Sequence, residues 1–246
     1  MAAPAVPTRV ARPTPARAAS AASRGVRAAA YERVLHQLVR RELRMLAELA
    51  AWADPADTAH TNAVTRPADL VGRVLLHHHS VERELLWPAL LRALHEADRS
   101  ATRARVDDWT ARSARVDHGL RDIATAARQW AVAGTASARD AFALACLDVA
   151  DAVDAHVAEE EAQLLPLLAT HLSGAEWRAV AGAARCALPA REQLLVLGMA
   201  LEDLGPTNRA RLLAGLSPAV RLAWRLRGRA DYRAAVVRLR GAPPAR

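Results

Sequence analysis

From Ala28 onward, apolar residues recur at helical spacing in four long stretches, 28–53, 67–97, 100–133 and 138–172. Breakers separate them: Asp54-Pro55 through Arg66-Pro67 after the first, a charged junction at Asp98 to Ser100, and Gly134 before the fourth. Long helices joined by mostly short links make an antiparallel four-helix bundle the economical arrangement. Farther on, Ser173-Gly-Ala-Glu176 has the form of a capping box that restarts a helix carrying Trp177. Pro189, Gly205-Pro206 and Ser217-Pro218 then divide the remainder into short, basic, amphipathic helices. The expected fold class is all-α: a disordered tail rich in Pro, Ala and Arg over 1–27, a bundle over 28–172, and a helical extension over 173–246.

Composition supports helices, since Ala, Leu, Val and Arg dominate and aromatics make up only 4%. The formal net charge of +8 rests wholly on arginine, because the chain has no lysine. Codon bias in a GC-rich genome accounts for such a replacement, so the arginine content is not by itself a nucleic-acid signature. The charge sits at the ends: five Arg and no acid in residues 1–30, and eleven Arg against four acids in 190–246. No helix-turn-helix, zinc-ligand spacing or basic-aromatic pattern sharpens these ends into a nucleic-acid motif, and a solvated basic face is the expected reading. Cys146 and Cys186 form no C-x-x-C and read as reduced thiols. With no apolar export segment and no run long enough to span a bilayer, the expected location is cytoplasmic.

The chemistry lies in a pair of motifs in register. His77-His78-His79-Ser-Val-Glu82 continues to Trp87-Pro88, and His156-Val-Ala-Glu-Glu160 continues to Leu165-Pro166. In each, a His is followed four residues later by a Glu and ten residues later by a Pro, a correspondence that implies an internal repeat of a helix pair. Residues four apart on a helix lie about 40° apart around the axis and about 6 Å along it, so His and Glu lean into one spot. Val74, Val81 and Leu85 share the stripe of His78 and Glu82, and Val149, Val153 and Leu164 flank His156 and Glu160. Carboxylates on a core face require a compensating positive charge, which a metal pair supplies. His36 on the first helix and His118 on the third complete an expected pseudo-twofold cage of six ligands: His36, His78, Glu82, His118, His156 and Glu160. Glu82 and Glu160 are the expected bridges. Imidazole and carboxylate without thiolate favour iron, with manganese as the substitute, over structural zinc. His77 and His79 lie about 100° around the helix from His78 and are expected to stand outside the ligand set, though His79 is close enough to support it. Glu161 is the rival to Glu160.

Residues 28–172 resemble the hemerythrin-like (HHE cation-binding) domain, on the strength of His36, His78 with Glu82, His118, and His156 with Glu160, and of the prolines in Leu86-Trp87-Pro88 and Leu164-Leu165-Pro166. The resemblance implies a four-helix bundle around two iron ions, oxo- or hydroxo-bridged, that meet O2 or a related small molecule such as peroxide or nitric oxide. Oxygen carriers of that family have two histidines four apart on the third helix, whereas here His118 is followed at that spacing by Asp122. Asp122 is left to ligate, to hold a bound water or to support His118, and reversible O2 carriage is put in doubt. Three readings stay open: binding or sensing of O2 or a related molecule, turnover of peroxide or nitric oxide, and an iron-dependent regulatory role exercised through the basic C-terminal helices.

Overall fold

The computed structural model describes residues 15–184, 187–241 and 244, with side chains from Ala29 onward. Residues 1–14 of the expected tail, and Cys186, lie outside the described residues. The elements are α1 (Pro15–Trp52), α2 (Thr58–Val81), a π-helical turn (Glu82–Leu86), α3 (Trp87–Ala93), α4 (Glu96–Ala133), α5 (Ala136–His171), α6 (Gly174–Ala183), α7 (Ala190–Glu202), α8 (Pro206–Gly215), α9 (Pro218–Ala223), a second π turn (Trp224–Gly228) and α10 (Arg229–Arg240). No strand occurs among the described residues, and none of their helices is long and apolar enough to cross a membrane.

Three boundaries differ from the expectation. The break expected at Asp98 to Ser100 falls at Leu94-His95 instead, so the charged junction forms the first turn of α4, where Glu96 and Asp98 suit a helix N-terminus. α1 begins at Pro15 rather than near Ala28, because the run Ala16 to Ala30 is mostly alanine and arginine, both strong helix formers. α2 begins at Thr58 and carries Pro67 inside it. Asp57 starts this helix by accepting from the backbone N–H groups of Ala59 and His60 at 2.8 and 3.1 Å. The expected ends elsewhere hold their chemistry. Gly134 closes α4 in the left-handed conformation at φ 57°, Thr135 caps α5, and Ser173 with Glu176 forms the capping box of α6.

α1 packs most extensively on α5, α5 on α4, α4 on α2, and α2 on α1, which closes a ring of helices. The inner faces form two apolar clusters. One gathers Ala29 of α1, Leu86 and Leu90 after α2, Trp109 of α4, and Leu164 and Leu168 of α5. The other gathers Leu43 of α1, Val64 of α2, Trp130 of α4 and Phe142 of α5. The start of α1, the end of α2, the start of α4 and the end of α5 thus share one end, so successive long helices alternate in direction. Between the two clusters lies a buried polar layer, which is the site.

The C-terminal helices are docked by packing and by charge. Leu188, Met199, Trp224, Tyr232 and Leu239 join the second cluster. Arg240 reaches Glu202 at 2.5 Å and Glu42 of α1 at 3.6 Å, while the Tyr232 hydroxyl donates to Glu202 and Arg41 pairs with Asp203. Gly198 lets the Tyr232 ring approach so closely that an added Cβ would stand 2.3 Å from it. Gly198→Ala is therefore expected to push the ring out and cost about 1–3 kcal/mol, despite the better helix propensity of alanine. Urea unfolding of the two proteins measures the difference.

Candidate metal centre

On α1, Glu32 and His36 lie four residues apart and both are buried. On α2, His78 and His79 both point inward, which a residue-by-residue helical wheel does not suggest. α2 is flanked by α1 on one side and α4 on the other, and neighbouring residues about 100° apart serve one neighbour each. The His78 ring lies 5.9 Å from that of His36, and the His79 ring 5.8 Å from that of His156 on α5. Glu82, four residues from His78 and three from His79, falls between them at the point where the helix widens into its π turn.

That turn has a packing cause. Leu86, Leu90 and Leu94 are buried at four-residue steps after Glu82, and an α-helix of 3.6 residues per turn would carry such a series off its face. An i→i+5 bond from Trp87 N–H to Glu82 O inserts the extra residue that keeps both the site and the apolar end in register.

The buried ligand atoms form two adjacent triads, Glu32, His36 and His78, and His79, Glu82 and His156, with the atoms of each triad within 4.8 Å of one another. Two carboxylates link them. Glu82 Oε1 lies 3.2 Å from His78 Nε2 of the other triad. Glu160 Oε2 lies 3.1 Å from His36 Nε2 and 3.7 Å from His156 Nε2, one nitrogen from each triad. Glu32, Glu82 and Glu160 are 2%, 1% and 1% exposed, far too buried for unpaired carboxylates.

Many of these atoms have no hydrogen-bond partner: Glu32 Oε2, His78 Nε2, Glu82 Oε1, Glu160 Oε1 and both ring nitrogens of His156. Some approach one another, as His78 Nε2 and Glu32 Oε2 do at 3.4 Å, but without hydrogen-bond geometry. A convergence of orphaned, buried oxygen and nitrogen atoms fits cations placed between them. The charge state agrees. Burial pushes the Glu32 carboxyl up to about 7, and burial with the nearby Glu160 pushes Glu82 well above the usual range. Burial also lowers His78, His79 and His156, the last to about 4. For His36 burial opposes the charge, but the hydrogen bonds to Glu160 and Glu161 outweigh it and hold the ring up at about 10. Those same contacts keep Glu160 ionised against its burial. A cation held here would compete with protons for Glu32, His36 and Glu82.

Each triad has one histidine oriented from behind by a carboxylate. His79 Nδ1 donates to Asp117 of α4 at 2.5 Å, and Asp117 also accepts from Arg83 at 3.0 Å. His36 Nδ1 donates to Glu161 at 3.4 Å. Such partners fix the ring and leave Nε2 for a metal. Asp117→Ala is expected to weaken metal binding about 10- to 100-fold without unfolding the bundle, as competition with a chromophoric chelator measures.

His36, His78, Glu82, His156 and Glu160, named from the sequence, are brought together. His118 is not: its side chain is 76% exposed and faces Asp122, itself on the surface, at 3.6 Å. The residue before it, Asp117, takes the inward place on α4. His79 belongs within the site rather than beside it, at 2% exposure, and Glu161 supports His36 instead of replacing Glu160. Glu32 was missed, although Glu32-x-x-x-His36 has the same four-residue spacing as the recognised motifs. The polar layer is thus asymmetric, with Glu32 and His36 inward from α1 and no histidine from α4.

A family model of the hemerythrin HHE cation-binding domain matches residues 30–168, more than half of the chain. The chain belongs to this hemerythrin family. The matched span runs from α1 through most of α5 and holds every residue of the polar layer, while α6 to α10 lie beyond it. Among curated proteins and among solved structures, none matches significantly. A His- and Glu-lined cation site in a helical bundle is what the hemerythrin domain and this geometry have in common.

Proposed function

We propose that this hemerythrin-family chain holds two iron ions, or manganese in their stead, one in each triad, and binds or senses O2 or a related small molecule such as peroxide or nitric oxide. The observation that carries the reading is the reach of two carboxylates: Glu160 lies 3.1 and 3.7 Å from nitrogens of the two triads, and Glu82, a member of the second triad, lies 3.2 Å from His78 of the first, so either would be able to join two ions. When bound, the ion pair supplies adjacent redox-active Lewis-acidic centres. The chain's own residues do the rest. Glu161 and Asp117 orient His36 and His79, Arg83 holds the Asp117 charge in place, and the apolar clusters on either side exclude water. A donor set without thiolate suits iron or manganese better than structural zinc. Buried, unpaired Cys146 is in keeping with a reducing, cytoplasmic setting.

The test is a visible spectrum of the iron-loaded protein before and after exposure to O2, peroxide and nitric oxide, with peroxide consumption followed in parallel. A stable, ligand-dependent spectral change without turnover is the expected result. Rapid peroxide loss would instead mark an enzyme, and no response to any of the three would sink the reading.

A further inference from the structure

A cavity of about 340 Å³ lies between the bundle and the C-terminal extension. Its floor includes Leu35 and Leu38 of α1 and Val74 and Val81 of α2, and its opposite wall is built by α6, α7 and α8 through Trp177, Val196, Leu197 and Leu212. The polar lining comes from Glu32, His78 and Glu82 of the polar layer, with His77 beside them on α2 and Gln193 on α7. Each of the first three is buried and carries an atom without a hydrogen-bond partner, Glu32 Oε2, His78 Nε2 and Glu82 Oε1. The wall comes from residues outside the matched hemerythrin span of 30–168, so the cavity is not a property of the bundle alone.

We propose that this cavity is a binding site for a mostly apolar small organic molecule whose polar head reaches the cation held by Glu32, His36 and His78. The volume lies within the range of small-molecule sites, and the lining has their composition: an apolar surround with a few convergent polar groups. A bare channel for a diatomic gas would not need a space of this size. The extension therefore selects what reaches one of the two triads, and the apolar tail supplies affinity that the head alone lacks. This inference rests on the metal reading above.

Two hydroxamates with the same metal-ligating head, acetohydroxamate and octanohydroxamate, separate the two ideas when titrated calorimetrically into the full-length, metal-loaded protein. The octanoyl compound is expected to bind roughly 30-fold tighter or more, through its buried methylenes. Val196→Trp, and independently Ala200→Phe, fill the cavity from α7, and each is expected to bring the two affinities together while leaving acetohydroxamate unchanged. Circular dichroism and the melting temperature verify that each variant is folded. Equal affinities in the unaltered protein overturn the pocket and leave the metal reading intact. A tail preference that survives both folded variants also overturns it. Binding of neither compound overturns the metal reading and this one together.

Discussion

Replacing His78 or His156 with alanine is expected to strip the chain of most of its metal, whereas His118→Ala is expected to leave metal content unchanged. His78 and His156 belong to different triads and present ring nitrogens with no other partner. Removing either deletes a donor from a buried triad of three. His118 points to solvent on the outer face of α4. Elemental analysis of the three variants, purified alike, decides between this arrangement and the symmetric cage that the paired motifs suggest. Metal loss in His118→Ala equal to that in the other two would restore the symmetric cage.

Metal removal is expected to lower the melting temperature by about 10 °C. A ligand at about a thousand times its dissociation constant stabilises the folded state by about 4 kcal/mol, and for a chain of this length each kcal/mol moves the midpoint by about 2–4 °C. The physical origin is the polar layer, where Glu32, Glu82 and Glu160 are held in an apolar surround and several of their oxygens lack partners. Glu82→Gln sharpens the prediction. Burial and the nearby Glu160 push the Glu82 carboxyl well above the usual carboxylate range, so the metal-free variant is expected to melt close to the metal-free parent. It is also expected to lose most of the metal-dependent gain. Scanning calorimetry with and without chelator reads both effects, and a melting temperature indifferent to chelation would contradict the account.

The bundle was legible because its four long helices carry continuous apolar stripes, and the matched His-x-x-x-Glu motifs gave His78, Glu82, His156 and Glu160. The repeated helix pair also led to the expectation of a histidine from α4, whereas the structure places the His118 side chain on the outer face. On α4 the buried series Val106, Trp109, Ser113, Val116, Leu120, Ile123 already fixes the inward face, and His118, about 200° around from Val116, falls opposite it. Asp117 fits that face and His118 does not, a distinction available from the sequence had the stripe been weighed above the search for a fourth histidine. His79 was harder to find. Its place depends on α2 lying between two helices, so that adjacent residues both face the polar layer, and one-dimensional spacing does not contain that fact. The π turn at Glu82–Leu86 was not foreseen either, although the leucines at four-residue steps after Glu82, Leu86, Leu90 and Leu94, with Pro88 among them, are its trace. The early start of α1 follows from alanine and arginine propensity, which the prolines of the preceding stretch obscured.

The most direct test is the number of metal ions per chain. Protein purified from iron-replete cells is analysed for iron, manganese and zinc against an exact protein concentration. Two irons per chain, absent from His78→Ala and His156→Ala and retained by His118→Ala, is the result expected. Protein that folds well without metal, and takes up none on anaerobic reconstitution with ferrous iron, would contradict the account and leave the buried polar layer without its cations.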